Sequence, residues 1–63
     1  MKKPQIRQTW RCKGTKDKYL ITAIEDGTVV AHGINGVNLI ETLEVSDWQN
    51  EYEFVADAPE VQA

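Results

Sequence analysis

The chain carries one thiol, Cys12, and one imidazole, His32. A cysteine nucleophile needs a base to generate its thiolate, so Cys12 and His32 form the only Cys–His arrangement that the sequence permits. The intervening residues set no distance between them. His32 lies in "VVAHGI", where a polar side chain turned to water from a half-buried strand is the simpler reading. A cysteine without a catalytic role is the simpler reading of Cys12. Two carboxylate pairs offer acid–base chemistry. Glu51 and Glu53 alternate as on one strand face, whereas Glu41 and Glu44 would face opposite sides of a regular strand. Charges on strand edges that discourage strand-to-strand association account for both pairs. The glycines Gly27, Gly33 and Gly36 make no phosphate cradle, because "GING" lacks the spacing and the following Lys-Ser/Thr of a P-loop. A single cysteine excludes an internal disulfide, and one Cys with one His cannot build a zinc site. The sequence therefore reads as noncatalytic, with no cofactor and no metal.

Binding chemistry is better represented. Trp10 stands among Arg7, Arg11 and Lys13, with Lys16 and Lys18 close behind. Trp and Arg dominate the energetics of protein interfaces, so Arg7, Trp10, Arg11, Lys13, Lys16 and Lys18 are the expected partner-binding residues. The competing reading places Trp10 in the core, closing one end of the domain beneath a loop. All seven basic residues precede Tyr19 and nine of the ten acids follow it, giving +6 before that residue and −9 from there onward.

Three uses of this asymmetry follow. A basic segment with an interleaved Trp can neutralise phosphates and stack a base, but the acids lie close enough to oppose that attraction. Alternatively, neighbouring first and last strands would set Arg7, Arg11 and Lys13 beside Glu51, Glu53 and Asp57. Such cross-strand pairs contribute roughly 0.2–1 kcal/mol each. A charge dipole also steers encounter with a complementary protein, or with a second copy of the same chain.

The elements that must position these residues fit one small domain. At 63 residues a fold buries only about 60% of its unfolded surface, which excludes a deep substrate cleft. "EDGT" (25–28) and "INGV" (34–37) carry the Asp-Gly and Asn-Gly pairs that two-residue hairpin turns favour. They predict antiparallel strands over 18–25, 28–34 and 37–45, preceded by a strand over 5–12. Ser46 and Gln49 have capping-box spacing, predicting a short helical turn within 46–52 before a last strand over 52–56. Positions 1–4 read as a flexible basic N-terminus, 5–56 as the domain and 57–63 as a flexible acidic tail. Asn38 and Glu41 also have capping spacing, so a β-hairpin followed by a helix is the alternative. The expected core is Trp48, Phe54, Ile21, Ile24, Val30, Leu39, Leu43 and Val45, since so small an interior cannot hold all five aromatic rings with their polar edges satisfied. No signal peptide and no apolar run of about 20 residues is present, so the expectation is a cytoplasmic chain without membrane contact.

Trp10, "KG" (13–14), "YLITAI" (19–24), "GTVV" (27–30), "LEVSDW" (43–48) and "YEFV" (52–55) occur in an order that resembles the small SH3-like β-barrel proteins of bacteria and phages. The resemblance spans about residues 10 to 56. It implies an all-β, five-stranded SH3-like barrel with one short helical turn before the last strand. Barrels of this kind serve adaptor, peptide-binding and nucleic-acid-binding roles, so the fold does not decide the function. The expected function is a protein-interaction module with a basic N-terminal and an acidic C-terminal surface, of the accessory or regulatory kind found in phages and bacteria. Nucleic-acid binding through the basic segment is the alternative.

Overall fold

The computed structural model describes residues 2–59. Met1 and positions 60–63 of the expected tail lie outside the described residues. The order of elements is β1 (Thr9–Cys12), β2 (Lys18–Glu25), β3 (Thr28–Gly33), β4 (Ile40–Glu44), α1 (Val45–Glu51) and β5 (Tyr52–Ala56). The strands form one antiparallel sheet in the order β4-β3-β2-β1-β5, so the first and last strands are neighbours. The sheet is not closed by backbone pairing. Residues 40–44 form a strand, which excludes the hairpin-plus-helix alternative for this segment.

Turn chemistry explains much of this path. Asp26 and Gly27 both have positive φ, as do Asn35 and Gly36, the conformation that two-residue hairpin turns demand. The first turn joins β2 directly to β3. The second does not set the register of β4. A two-residue turn at 35–36 would bring Gly33 opposite Asn38, yet the Gly33 amide donates to the Leu39 carbonyl at 2.8 Å and His32 faces Ile40. One extra residue is absorbed between turn and strand. The strand expected over 37–45 accordingly begins only at Ile40.

The first strand is also shorter than the expected 5–12. Residues 5–8 close into a turn, with the Gln8 amide donating to the Gln5 carbonyl and Arg7 at φ 77°. The helix starts two residues earlier than the capping signature indicates. Glu44 is its N-cap and makes no side-chain capping bond. Ser46 therefore lies within the first turn, and the Gln49 side chain instead donates to the Lys2 carbonyl at 2.8 Å.

The core consists of Trp10, Tyr19, Ile21, Val29, Ala31, Trp48 and Tyr52. Ile21 and Trp48 are as expected; Ile24, Leu43, Val45 and Phe54 pack against this cluster while only partly buried. A bulge between Ile21 and Ala23 lets Ile21 and Ile24 share the inner face despite their odd spacing. Val30 is corrected to the outer face, because Val29 and Ala31 on either side of it point inward. Leu39 is corrected to the surface, since it precedes β4 and is 56% exposed. As expected, the interior does not hold every aromatic ring with its polar edge satisfied: Phe54 is only half-buried, and the buried Trp48 indole N–H has no hydrogen-bond partner among the described residues. Phe54, Trp10, Trp48, Tyr52 and Tyr19 form a continuous file. Trp48 stacks on Tyr52 at 3.8 Å, and the other contacts are edge-to-face at 5.6–6.0 Å. Such pairs add about 0.5–1.5 kcal/mol each beyond burial of area, which helps a core this small.

Candidate functional site

β1 positions the candidate site. Trp10 points inward from it, and the Trp10 indole N–H donates to the Gln8 side-chain oxygen at 2.9 Å. Gln8 is itself buried; its Oε1 also accepts from the Gln5 amide at 2.8 Å, and its Nε2 donates to Asp57 at 3.0 Å. This one glutamine ties the N-terminal segment, the Trp10 ring and the chain leaving β5 together. Thr9 adds a bond from its hydroxyl to the Ala58 carbonyl at 2.8 Å. The segment expected to be a flexible N-terminus is held at several points. The Lys2 carbonyl accepts from Gln49, Pro4 is buried, and the Lys2 ammonium lies 4.4 Å above the centre of the Phe54 ring and 3.7 Å from Asp57.

These contacts frame a groove of about 180 Å³ lined by Lys2, Trp10, Lys13, Gln49, Tyr52, Glu53 and Phe54. Lys2 and Lys13 supply the ammonium groups on its rim. The Lys13 ammonium donates to the Asn50 carbonyl at 3.0 Å, and the Lys13 amide donates to the Glu51 carbonyl at 3.0 Å. Glu53 is the acid in the lining, and Arg11, opposite it in register, binds it at 2.5 Å. That hydrogen bond, with the nearby charges of Arg11, Lys16 and Lys13, holds the Glu53 carboxyl below its usual range. The acid is thus engaged by Arg11, and the rim retains a positive balance.

The residues expected to bind a partner divide into three groups. Trp10 and Lys13 line the groove, and Arg11 and Lys16 act on its Glu53 wall. Lys18 faces Arg11 across the β1–β2 ladder. Arg7 lies apart, in the turn where its amide donates to the Ile21 carbonyl at 2.8 Å. Trp10 is only 3% exposed, which corrects its reading as an open apolar plate. Of the cross-strand charge pairs expected, Arg11 with Glu53 is formed, while Asp57 is paired with Lys2 in place of Arg7 or Lys13. Lys2, Gln49, Tyr52, Glu53 and Phe54 were not among the expected site residues. Their meeting depends on docking residue 2 against α1 and β5, which no short-range spacing encodes.

The candidate catalytic pair is not assembled. Cys12 packs against the core, and His32 is exposed on β3, with β2 lying between β1 and β3. Hydrogen bonds from the Thr15 amide and hydroxyl lower the Cys12 pKa. Tyr19 and Tyr52 both have raised pKa values, chiefly through burial and then through the charge of Glu41. The Tyr52 hydroxyl donates to Glu41 at 3.4 Å. Among the described residues no group of three or more His, Cys, Asp or Glu side chains is placed to hold a metal ion, and no helix is long and apolar enough to cross a membrane. Comparison with protein-family models, with curated proteins and with solved structures returns no match.

Proposed function

We propose that this chain is a noncatalytic protein-interaction module of the SH3-like barrel type, of the accessory or regulatory kind. Its contact site is the groove between Lys2 and Lys13, and its partner presents an acidic side chain next to an apolar one. The strand order supports the barrel reading, as does the Tyr52–Glu41 hydrogen bond that links the two outermost strands, β5 and β4, across the core. The observation that carries the functional reading is the groove's composition. Two lysines line the groove beside the half-buried Phe54 and the nearly buried Trp10 and Tyr52, in a space of about 180 Å³ that suits one or two side chains. Ammonium groups beside apolar surface select a carboxylate adjoining an apolar anchor.

The burial of the aromatic rings favours a protein over a nucleic acid. A strand-binding surface stacks bases on open ring faces. Here Trp10, Tyr19, Trp48 and Tyr52 are buried, and the Lys2 ammonium covers Phe54. Screening a displayed peptide library against the full chain should enrich sequences with an acid beside a Leu, Phe or Trp. Lys2→Glu and Lys13→Glu should each abolish that enrichment, while mobility shift with oligonucleotides at low salt should show no complex. Oligonucleotide binding with a steep salt dependence, lost in Arg7→Ala/Arg11→Ala, would overturn the proposal in favour of nucleic acid.

A further inference from the structure

The sheet ends on two unequal edges. β5 is half-buried, and the N-terminal segment packs beside it, with Lys2 bonded to Gln49 and lying over Phe54. β4 is open. Its residues Ile40, Thr42 and Glu44 are exposed while Glu41 and Leu43 are half-buried, and among the described residues no strand lies beyond it. In an antiparallel ladder, residues that exchange hydrogen bonds with the neighbouring strand alternate with residues that do not. Gly33 bonds Leu39, so Glu41 and Leu43 continue that set, and Ile40, Thr42 and Glu44 turn their amides away from β3. The free edge therefore offers a row of backbone donors and acceptors. Leu39 and Ile40 are 56% and 62% exposed, two of the three large hydrophobic residues left open on the described surface.

We infer that the β4 edge is a second docking site, which takes an extended basic–apolar segment of a partner protein as an added antiparallel strand. Strand addition draws affinity from main-chain hydrogen bonds and specificity from alternate side chains. The alternate side chains here are Ile40, Thr42 and Glu44. The incoming strand then needs an apolar residue beside Ile40 and, four positions earlier on the same face, a Lys or Arg beside Glu44. Charge decides between this occupant and a second copy. No basic residue follows Lys18 in the sequence. Pairing β4 with itself about Thr42 would set Glu44 opposite Ile40 and Glu41 opposite Leu43 of the second copy, so that neither carboxylate gains a cationic cross-strand neighbour. A basic strand neutralises them.

The test uses the full-length isotope-labelled chain and the capped peptide Thr-Lys-Val-Thr-Val-Ile-Thr, followed by amide resonances and hydrogen exchange. The expected result is shifted and slowed amides at Ile40, Thr42 and Glu44, with Gly33 unchanged. Replacing the peptide's Lys by Glu, or introducing Glu44→Lys, should each weaken binding about fivefold, the upper end for one cross-strand charge pair. Thr42→Pro removes an amide that β3 does not use and should abolish binding, since proline is tolerated at such edge positions. If Thr42→Pro fails to fold, Ile40→Ser removes the exposed apolar contact and should also weaken binding. Absence of shifts along β4, equal binding of the acidic peptide, or concentration-dependent protection of these amides without peptide would overturn the inference, the last in favour of a second copy.

Discussion

Gln8 holds more of this fold than its single position suggests, and Gln8→Leu measures how much. The substitution keeps side-chain size and removes three hydrogen bonds: from the Trp10 indole, from the Gln5 amide and to Asp57. The loss at Trp10 dominates. That ring is 3% exposed, so its N–H would stay buried without a partner, at about 1–3 kcal/mol. The Gln5 amide and Asp57 are reached by water more easily, and each lost bond there costs about 0.5–1 kcal/mol. The expected loss is about 2–4 kcal/mol, against a total of about 3–5 kcal/mol for a small core without staples. Urea unfolding followed by Trp emission should show a much lower midpoint, and Tm should fall by about 10–30 °C. Trp10→Phe removes the orphaned donor, so the double-mutant cycle should show coupling of about 1 kcal/mol or more. A Gln8→Leu loss below about 1 kcal/mol, or a cycle without coupling, would refute the assignment of Gln8 as the link between the N-terminal segment and the core.

Three further outcomes are expected. Gly33→Ala places a Cβ against the carbonyl oxygen and side chain of Val37; the overpacking should cost about 1–3 kcal/mol in urea unfolding, and the companion Val37→Ala should recover part of it. The Cys12 thiol, its pKa lowered by Thr15, should react with iodoacetamide at a lower pH than an ordinary cysteine, and Thr15→Val should move that profile upward; a profile unchanged by Thr15→Val would contradict the hydrogen bond. Glu53 is depressed by its bond to Arg11, so its contribution is present above the usual carboxylate range and fades as pH falls through the lowered value. Glu53→Gln should flatten that part of the acid limb of stability, by a small amount because the pair is solvent-exposed.

Local chemistry was legible in the sequence where it was self-contained. The Asp26-Gly27 pair sets its own turn and joins β2, which has the expected bounds, to β3, which starts at Thr28 as expected and ends one residue early at Gly33. The Asn35-Gly36 pair also turns as expected, but it sits before an irregular segment, and the one-residue offset that follows decides which residue of β4 meets which residue of β3. A slip of this kind reverses the face of every side chain after it, so alternation alone could not place Leu39 or Ile40. Gln8 escaped for a different reason. A glutamine at position 8 looks like surface until Trp10 and Asp57 are brought to it from both ends of the chain. The groove shares that origin. Trp10 and Lys13 were visible as chemistry, whereas Lys2, Gln49 and Phe54 become a site only through docking of residue 2.

The charge asymmetry of the sequence takes a spatial form along β2. Lys18 begins that strand beside Arg11, while Glu25 ends it at the turn that holds Asp26. Glu44 faces Thr28 at the same end, and the Val45 amide donates to the Gly27 carbonyl, which brings the start of α1 and its Asp47 to that turn. Eight residues of strand span about 26 Å, well beyond a Debye length of about 8 Å. The two ends therefore act as separate fields. Two pairs are engaged locally away from the Glu25 end: Arg11 with Glu53, and Lys2 with Asp57. A partner at the groove meets the basic field, whereas a side chain placed beside Glu44, at the end of β4 away from Ile40, meets the acidic one. Raising salt should slow association at both sites, and Lys13→Glu should change only the first. Loss of binding at the β4 edge in Lys13→Glu would show that the fields are not independent.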